Sequence, residues 1–309
     1  MILGIEIGGT KLQLGVGRGD GTLEALWRGA VDSAAGGEGI RRRIVTAVPE
    51  LLTTAGLTHA DLRGAGVGFG GPTDDDTQRI IKSHHVAGWD DFPLAAWVSD
   101  LTRIPTVICN DADVAGLAEA RHGAGRGLSP LFYVTVGTGI GGGLVIGDTM
   151  YRGCGRGAVE IGHVRVRDGD ILESYAAGWG IAARANRLAD TDDRYAALRS
   201  VVGRSLTAKD IATAAAAGDP AGRDALDVAL DALAEALGQM IKLLCPRRVV
   251  IGGGVSLMGD GLFFEPLRRR VAAAAFPPFA GLTDIVPAAL GEVVVVHGAL
   301  ALARQRFGG

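Results

Sequence analysis

The chain has 309 residues, 48% of them hydrophobic and 21% charged, with a formal net charge of −3. That balance supplies a sizeable core and excludes a disordered chain, and the scattered basic residues argue against a nucleic-acid partner. No apolar stretch reaches the roughly 18 residues of a membrane span, so no membrane partner is expected.

The N-terminal segment reads as a strand over Ile2–Ile7, a turn at Gly8-Gly9-Thr10 and a returning strand from Lys11 to Val16. Helical spacing covers 38–55. A strand at Ala65–Phe69 ends in Gly70-Gly71-Pro72, and helical spacing resumes over 91–102. A short strand at Thr106–Cys109 runs into Asn110-Asp111 and a helix over 112–122. Leu131–Val136 is a strong strand that passes through Gly137-Thr138-Gly139-Ile140-Gly141-Gly142-Gly143 and leaves through Leu144–Ile146. Helices follow at 174–188, 207–217 and 221–243, then a buried strand at Arg248–Ile251 ending in Gly252-Gly253-Gly254. A helix over 262–275, an apolar run at Val293–Val296 and a last helix at 298–306 close the pattern.

The first hairpin, ILGIEIGGTKLQLGVG, is echoed by LFYVTVGTGIGGGLVIG about 130 residues later. That spacing is too long for a solenoid repeat and suits a duplicated core, with one glycine hairpin in each half and a cleft between them. Gly137, Gly139 and Gly142 spell GxGxxG, but Leu144-Val145-Ile146 follows as strand. A dinucleotide fingerprint needs a helix there, so that reading is rejected. Glycine hairpins can still expose backbone N–H groups to phosphate oxygens, because no Cβ blocks the approach. The alternative is an ordinary hairpin turn.

Lys11 is either a point charge near phosphate or a solvated hairpin lysine. Asn110-Asp111 is either a helix N-cap or a carboxylate at a strand tip that accepts a hydroxyl proton. Glu160, His163 and Glu173 carry groups suited to vicinal hydroxyls, against plainer roles as surface charge and structural histidine. Gly252-Gly253-Gly254 could admit adenosine or simply turn the chain. Cys109, Cys154 and Cys245 are isolated, odd in number and without CxxC. They point away from disulfides and thiolate metal sites and fit a reducing, cytoplasmic compartment.

Taken in order, EIGGTK, GFGGP, CNDAD, VGTGIGGG, EIGH and VVIGGGV resemble the ROK family of repressors and sugar kinases, most closely its bacterial glucokinases. The resemblance implies an α/β, actin-like (ribonuclease-H-like) ATPase fold with two lobes, a duplicated core and a central cleft. It implies a small lobe at 1–108, completed by 298–309, and a large lobe at 109–297. It also implies ATP-dependent phosphorylation of a hexose, glucose first, with Mg2+, in a homodimer. Gly8, Gly9, Thr10 and Lys11 would form one phosphate loop, and Gly137, Thr138 and Gly139 the second. Gly252, Gly253 and Gly254 would lie by adenosine. Asp111 would be the base, and Gly71, Asn110, Glu160, His163 and Glu173 would join it on the sugar.

Three departures stand out. Glu6 replaces the family's usual Asp. Only Val164–Leu172, without cysteine, separates EIGH from Glu173, so no structural zinc is expected and His163 is left to the sugar. His84-His85 precedes Gly88-Trp89 where the family often has Asn. Other readings are a regulator of the same family, a sugar-binding protein with weakened catalysis, a kinase for fructose, mannose or an N-acetylhexosamine, and polyphosphate as donor. The regulator is disfavoured because the first glycine loop begins at residue 8, leaving no room for a DNA-binding helix-turn-helix.

Overall fold

The computed structural model describes residues 1–83 and 86–308, so His84 and His85 lie outside the described residues. The chain divides into two compact units, one of residues 1–133, 143–158 and 289–309, the other of 134–142 and 159–288.

The first unit begins with β1 (Ile2–Ile7), β2 (Lys11–Gly17), β3 (Ala25–Ala30), α1 (Gly36–Ala55) and β4 (Gly64–Phe69). The small strands β5 (Thr73–Asp74) and β6 (Arg79–Ile80), then α2 (Leu94–Thr102), β7 (Thr106–Asn110) and α3 (Asp111–His122) follow. Next along the chain come β8 (Leu131–Val136), β9 (Ile140–Ile146) and β10 (Thr149–Met150), of which residues 134–142 are counted with the second unit. The second unit carries β11 (Arg165–Val166), β12 (Asp170–Ile171), α4 (Glu173–Ala176), α5 (Gly178–Leu188), α6 (Asp193–Val202) and α7 (Ala208–Ala216). It continues with α8 (Pro220–Leu244), β13 (Arg248–Gly252), α9 (Glu265–Ala273) and β14 (Asp284–Pro287), and α10 (Val294–Phe307) belongs again to the first unit.

The expected duplication is visible in the strand orders. One five-stranded sheet runs β3-β2-β1-β4-β7 and the other β10-β9-β8-β13-β14. Numbered within its own set, each reads third, second, first, fourth, fifth. β1 pairs antiparallel with β2, from Ile2 opposite Gly17 to Ile7 opposite Leu12, and parallel with β4. All six residues of β1 are buried, as a central strand covered on both faces requires. α1 covers one face with Ile40, Ile44, Val48 and Leu51, and its chain reverses at Gly56, whose φ is 65°. α10 packs against β1, β4 and α3.

The second unit is mostly helical. α7 opens on a capping box between Thr207 and Asp210, and α8 opens with Asp219 accepting from the Gly222 N–H at 2.9 Å and Pro220 in its first turn. Among the described residues no helix is long and apolar enough to cross a membrane.

Candidate active site

In the first unit the chain turns between β1 and β2 at Gly8–Lys11, closed by a Gly8 N–H to Lys11 carbonyl bond of 3.0 Å. Among the described residues nothing accepts from the N–H groups of Gly9 and Thr10. The end of β4 lies beside this turn: the Gly70 N–H donates to the Ile7 carbonyl at 2.9 Å. A methyl group on Gly70 would stand 3.4 Å from Asp111 Oδ2 and 3.7 Å from Gly8 Cα. The glycine turn, the GGP segment and the Asp111 carboxylate therefore converge.

The N-cap reading of Asn110-Asp111 falls on Asn110. Asn110 is the N-cap of α3, its Oδ1 accepting from the Ala112 and Asp113 N–H groups at 2.9 and 3.3 Å, while its Nδ2 donates to the Gly71 carbonyl at 3.2 Å. Capping by Asn110 leaves Asp111 as the first helical residue, where the helix dipole favours a carboxylate. The other acid of CNDAD is differently engaged. Asp113 is 2% exposed and paired with Arg152, which also holds Asp75 at 2.8 Å. Asp113 thus belongs to a buried ionic cluster, and Asp111 is the half-buried carboxylate at the turn. Cys109 is buried beside it, and burial pushes its thiol up, away from reactivity.

The second unit gathers the remaining candidates into two groups. Gly137–Gly139 is a tight turn, with the Gly137 N–H donating to the Gly139 carbonyl at 2.9 Å. A methyl on Gly137 would meet the Gly254 nitrogen at 3.8 Å, so this turn and Gly252–Gly254 stand side by side. Gly253 has φ +89°, and a Cβ there would lie 2.5 Å from the Val136 carbonyl oxygen, so the turn demands glycine. Among the described residues nothing accepts from the N–H groups of Thr138, Gly139, Gly253 and Gly254. Four backbone donors without acceptors among the described residues thus stand on two abutting glycine turns, a type of arrangement that can hold an anion.

The other group is Glu160, His163 and Glu173. Glu160 precedes and His163 ends a short 3-10 turn, Ile161–His163, and both residues are exposed. Gly162 between them packs so closely on Ile140 that a Cβ would fall 2.2 Å from its carbonyl oxygen and 3.0 Å from Glu173 Cγ. Glu173 Oε1 accepts from the Ile140 N–H at 2.5 Å, tying the carboxylate to the glycine hairpin.

These motifs and their order decide the lineage, and the ROK family profile matches residues 2–306. The chain belongs to the ROK family. It is 32% identical over 315 residues to a glucokinase of Halalkalibacterium halodurans, across 98% of this chain and 95% of that one. A ROK family glucokinase from Streptomyces griseus, solved in complex with glucose and AMPPNP, matches with a TM-score of 0.84 at 30% identity, covering 98% of this chain and 99% of that one. A ROK hexokinase from Thermus thermophilus matches with a TM-score of 0.81 at 28% identity over 99% and 98% of the two chains. The fold is the actin-like ATPase fold of these ROK kinases.

Glu6 gives this ROK chain an unusual electrostatic centre. It is 4% exposed, its Oε1 meets Lys11 Nζ at 2.9 Å, and its Oε2 has no hydrogen-bond partner among the described residues. Burial pushes its pKa up from 4.5 to about 7; Lys11 opposes the rise, and Asp111 and Glu292 add to it. The folded chain therefore holds a proton that the unfolded chain releases above pH 4.5. Bound protons are more numerous in the folded state across that window, so stability falls as pH rises from 4.5 to about 7 and is level above it. The contribution is about 3 kcal/mol. Glu6→Gln should flatten this part of the stability curve, read by urea melts between pH 4.5 and 8; an unchanged slope would remove Glu6 as its source.

One participant carried no signal in the sequence. Lys11 Nζ donates to the main-chain carbonyl of Glu292 at 3.0 Å, a group that every residue possesses.

Proposed function

We propose that this chain transfers the γ-phosphoryl group of ATP to a hydroxyl of a hexose, glucose first. The observation that carries the reading is the Asp111 carboxylate at the start of α3, beside a glycine turn whose Gly9 and Thr10 N–H groups have no acceptor among the described residues. It is supported by the glucose and AMPPNP named with the Streptomyces griseus relative.

In this reading Asp111 orients the attacking hydroxyl and takes its proton, which then rests on the carboxylate. Asn110 and Gly71 set the same side of the sugar, and Glu160, His163 and Glu173 hold its other hydroxyls. The turns at Gly8–Lys11 and Gly137–Gly139 donate N–H groups to phosphate oxygens, and Gly252–Gly254 receives adenosine. Phosphoryl transfer asks little covalent work of the protein, so positioning and charge stabilisation supply the rate.

Mg2+ suits this donor set. Among the described residues no group of three or more His, Cys, Asp or Glu could hold a metal ion, whereas Asp111 offers a hard oxygen donor near the first turn. Mg2+ commonly relies on one or two carboxylates plus phosphates and water. When bound, it would neutralise charge on the transferred phosphate.

The reading keeps 1–108 with 298–309 and 109–297 as its proposed functional lobes; the compact units follow packing instead and place α3 in the first. It also takes the protein to be a cytoplasmic homodimer acting on small molecules, without a nucleic-acid or membrane partner and without structural zinc. The test is ADP release by the purified chain with Mg2+ and ATP against glucose, fructose, mannose and N-acetylhexosamines. Glucose-dependent release is expected, and no release with any hexose would end the kinase reading. A repeat with polyphosphate tests the donor.

A further inference from the structure

Glu119 is a fully buried carboxylate that no motif claims, two turns after Asp111 on the same helix. Its Oε2 accepts from the Ala124 N–H at 2.7 Å. Its Oε1 accepts from the N–H groups of Ala289 and Leu290, both at 2.9 Å. Three backbone donors compensate the buried charge. The chain wraps closely over this carboxylate at Gly123, where a Cβ would fall 2.1 Å from Oε2.

The far side of this clasp is a strap. Residues 289–293 lead into α10, turning at Gly291 with φ 59° and a short 3-10 turn over Gly291–Val293. The strap's Glu292 carbonyl accepts from Lys11 Nζ at 3.0 Å, and Glu6 takes a second N–H of the same ammonium at 2.9 Å. An ammonium has three donors, so two fixed contacts leave one to aim. Lysine side chains carry much rotamer entropy, so a phosphate-binding lysine gains from being held in advance.

We propose that Glu119 is a positioning residue for nucleotide binding: it clamps the 289–290 strap and so fixes the Glu292 carbonyl that orients Lys11 toward phosphate. This rests on the reading of Lys11 as the cation of the first phosphate loop. One helix then sets both reacting partners, Asp111 at its first turn for the hydroxyl and Glu119 two turns on for the phosphate side.

The test is calorimetric binding of ADP with Mg2+, and separately of glucose, to the intact chain and to Glu119→Gln, Leu290→Pro, Lys11→Met and the Lys11→Met/Glu119→Gln double variant. Leu290→Pro removes one strap donor while leaving the buried carboxylate in place, and the native φ of −88° at Leu290 lies near that of proline. Glu119→Gln and Leu290→Pro should each weaken ADP binding about tenfold, the size of one charge-assisted hydrogen bond, with glucose binding within about twofold of the unsubstituted chain. In the Lys11→Met background the Glu119→Gln loss should vanish, because its route is gone. Additive losses, or equal losses for ADP and glucose, would overturn the relay alone. An unsubstituted chain that binds glucose but no nucleotide would overturn the kinase reading and the relay together.

Discussion

Asp111→Asn should lower turnover about 10²- to 10⁴-fold, the usual contribution of a positioned general base, while glucose still binds. The amide keeps the size of the side chain and its acceptor oxygen, so the 2.8 Å bond from the Ala112 N–H and the start of α3 should survive. What disappears is the ability to take the hydroxyl proton. Two other acids lie close enough in sequence or space to be considered. Asp113 is buried on Arg152, and neutralising it would strip that guanidinium of one of its two carboxylates, Asp75 being the other, a defect of stability rather than of chemistry. Glu6 titrates near neutrality, but it is 4% exposed and its Oε1 is on Lys11. The assignment to Asp111 therefore predicts equal falls in kcat and kcat/KM for Asp111→Asn, measured by coupled ADP release at saturating ATP, with glucose affinity followed by calorimetry. Turnover within a few-fold of the unsubstituted chain would hand the proton to another group.

How far the sequence revealed this site depends on which atoms do the work. The strand–glycine–strand echo was legible because its signal is backbone chemistry repeated twice, and both sheets carry it in the same strand order. Asn110-Asp111 was legible as a helix cap, which Asn110 supplies, while Asp111 lies beside the glycine turn. Where tertiary contacts override local preference, the sequence misled. The helix expected over 174–188 is two helices, broken at Ala177 with ψ 155°, because the Gly178 N–H is drawn to the Gly137 carbonyl at 2.8 Å. The helix Asp193–Val202 was missed. Val293–Val296, an apolar β-branched run ahead of the expected helix, supplies most of the first turn of α10, whose packing on β1 and β4 outweighs the modest helical penalty of valine. The contact of Glu292 with Lys11 was illegible in principle, since a main-chain carbonyl makes it.

Gly66→Ala should destabilise the fold by about 3 kcal/mol or more, the upper end of the cost of overpacking. Gly66 lies mid-strand in β4, where a Cβ would sit 1.9 Å from the Ala299 carbonyl oxygen and 2.7 Å from its carbon. Both are backbone atoms of α10, which cannot rotate aside as a side chain would. Relief requires the helix to lift from β4, and α10 also packs on α3 and follows directly from the strap that holds Lys11. The damage should therefore appear in urea melts and also in ADP affinity at temperatures where the variant is still folded. Gly238 in α8 is the control: it is a helical glycine with nothing within 4 Å of a would-be Cβ. Gly238→Ala should stabilise by about 0.5–1 kcal/mol through helix propensity alone. The same methyl group should thus act with opposite signs at two glycines, according to whether backbone stands in its place. Equal melting of the two variants would mean that α10 does not approach β4 as closely as this packing requires.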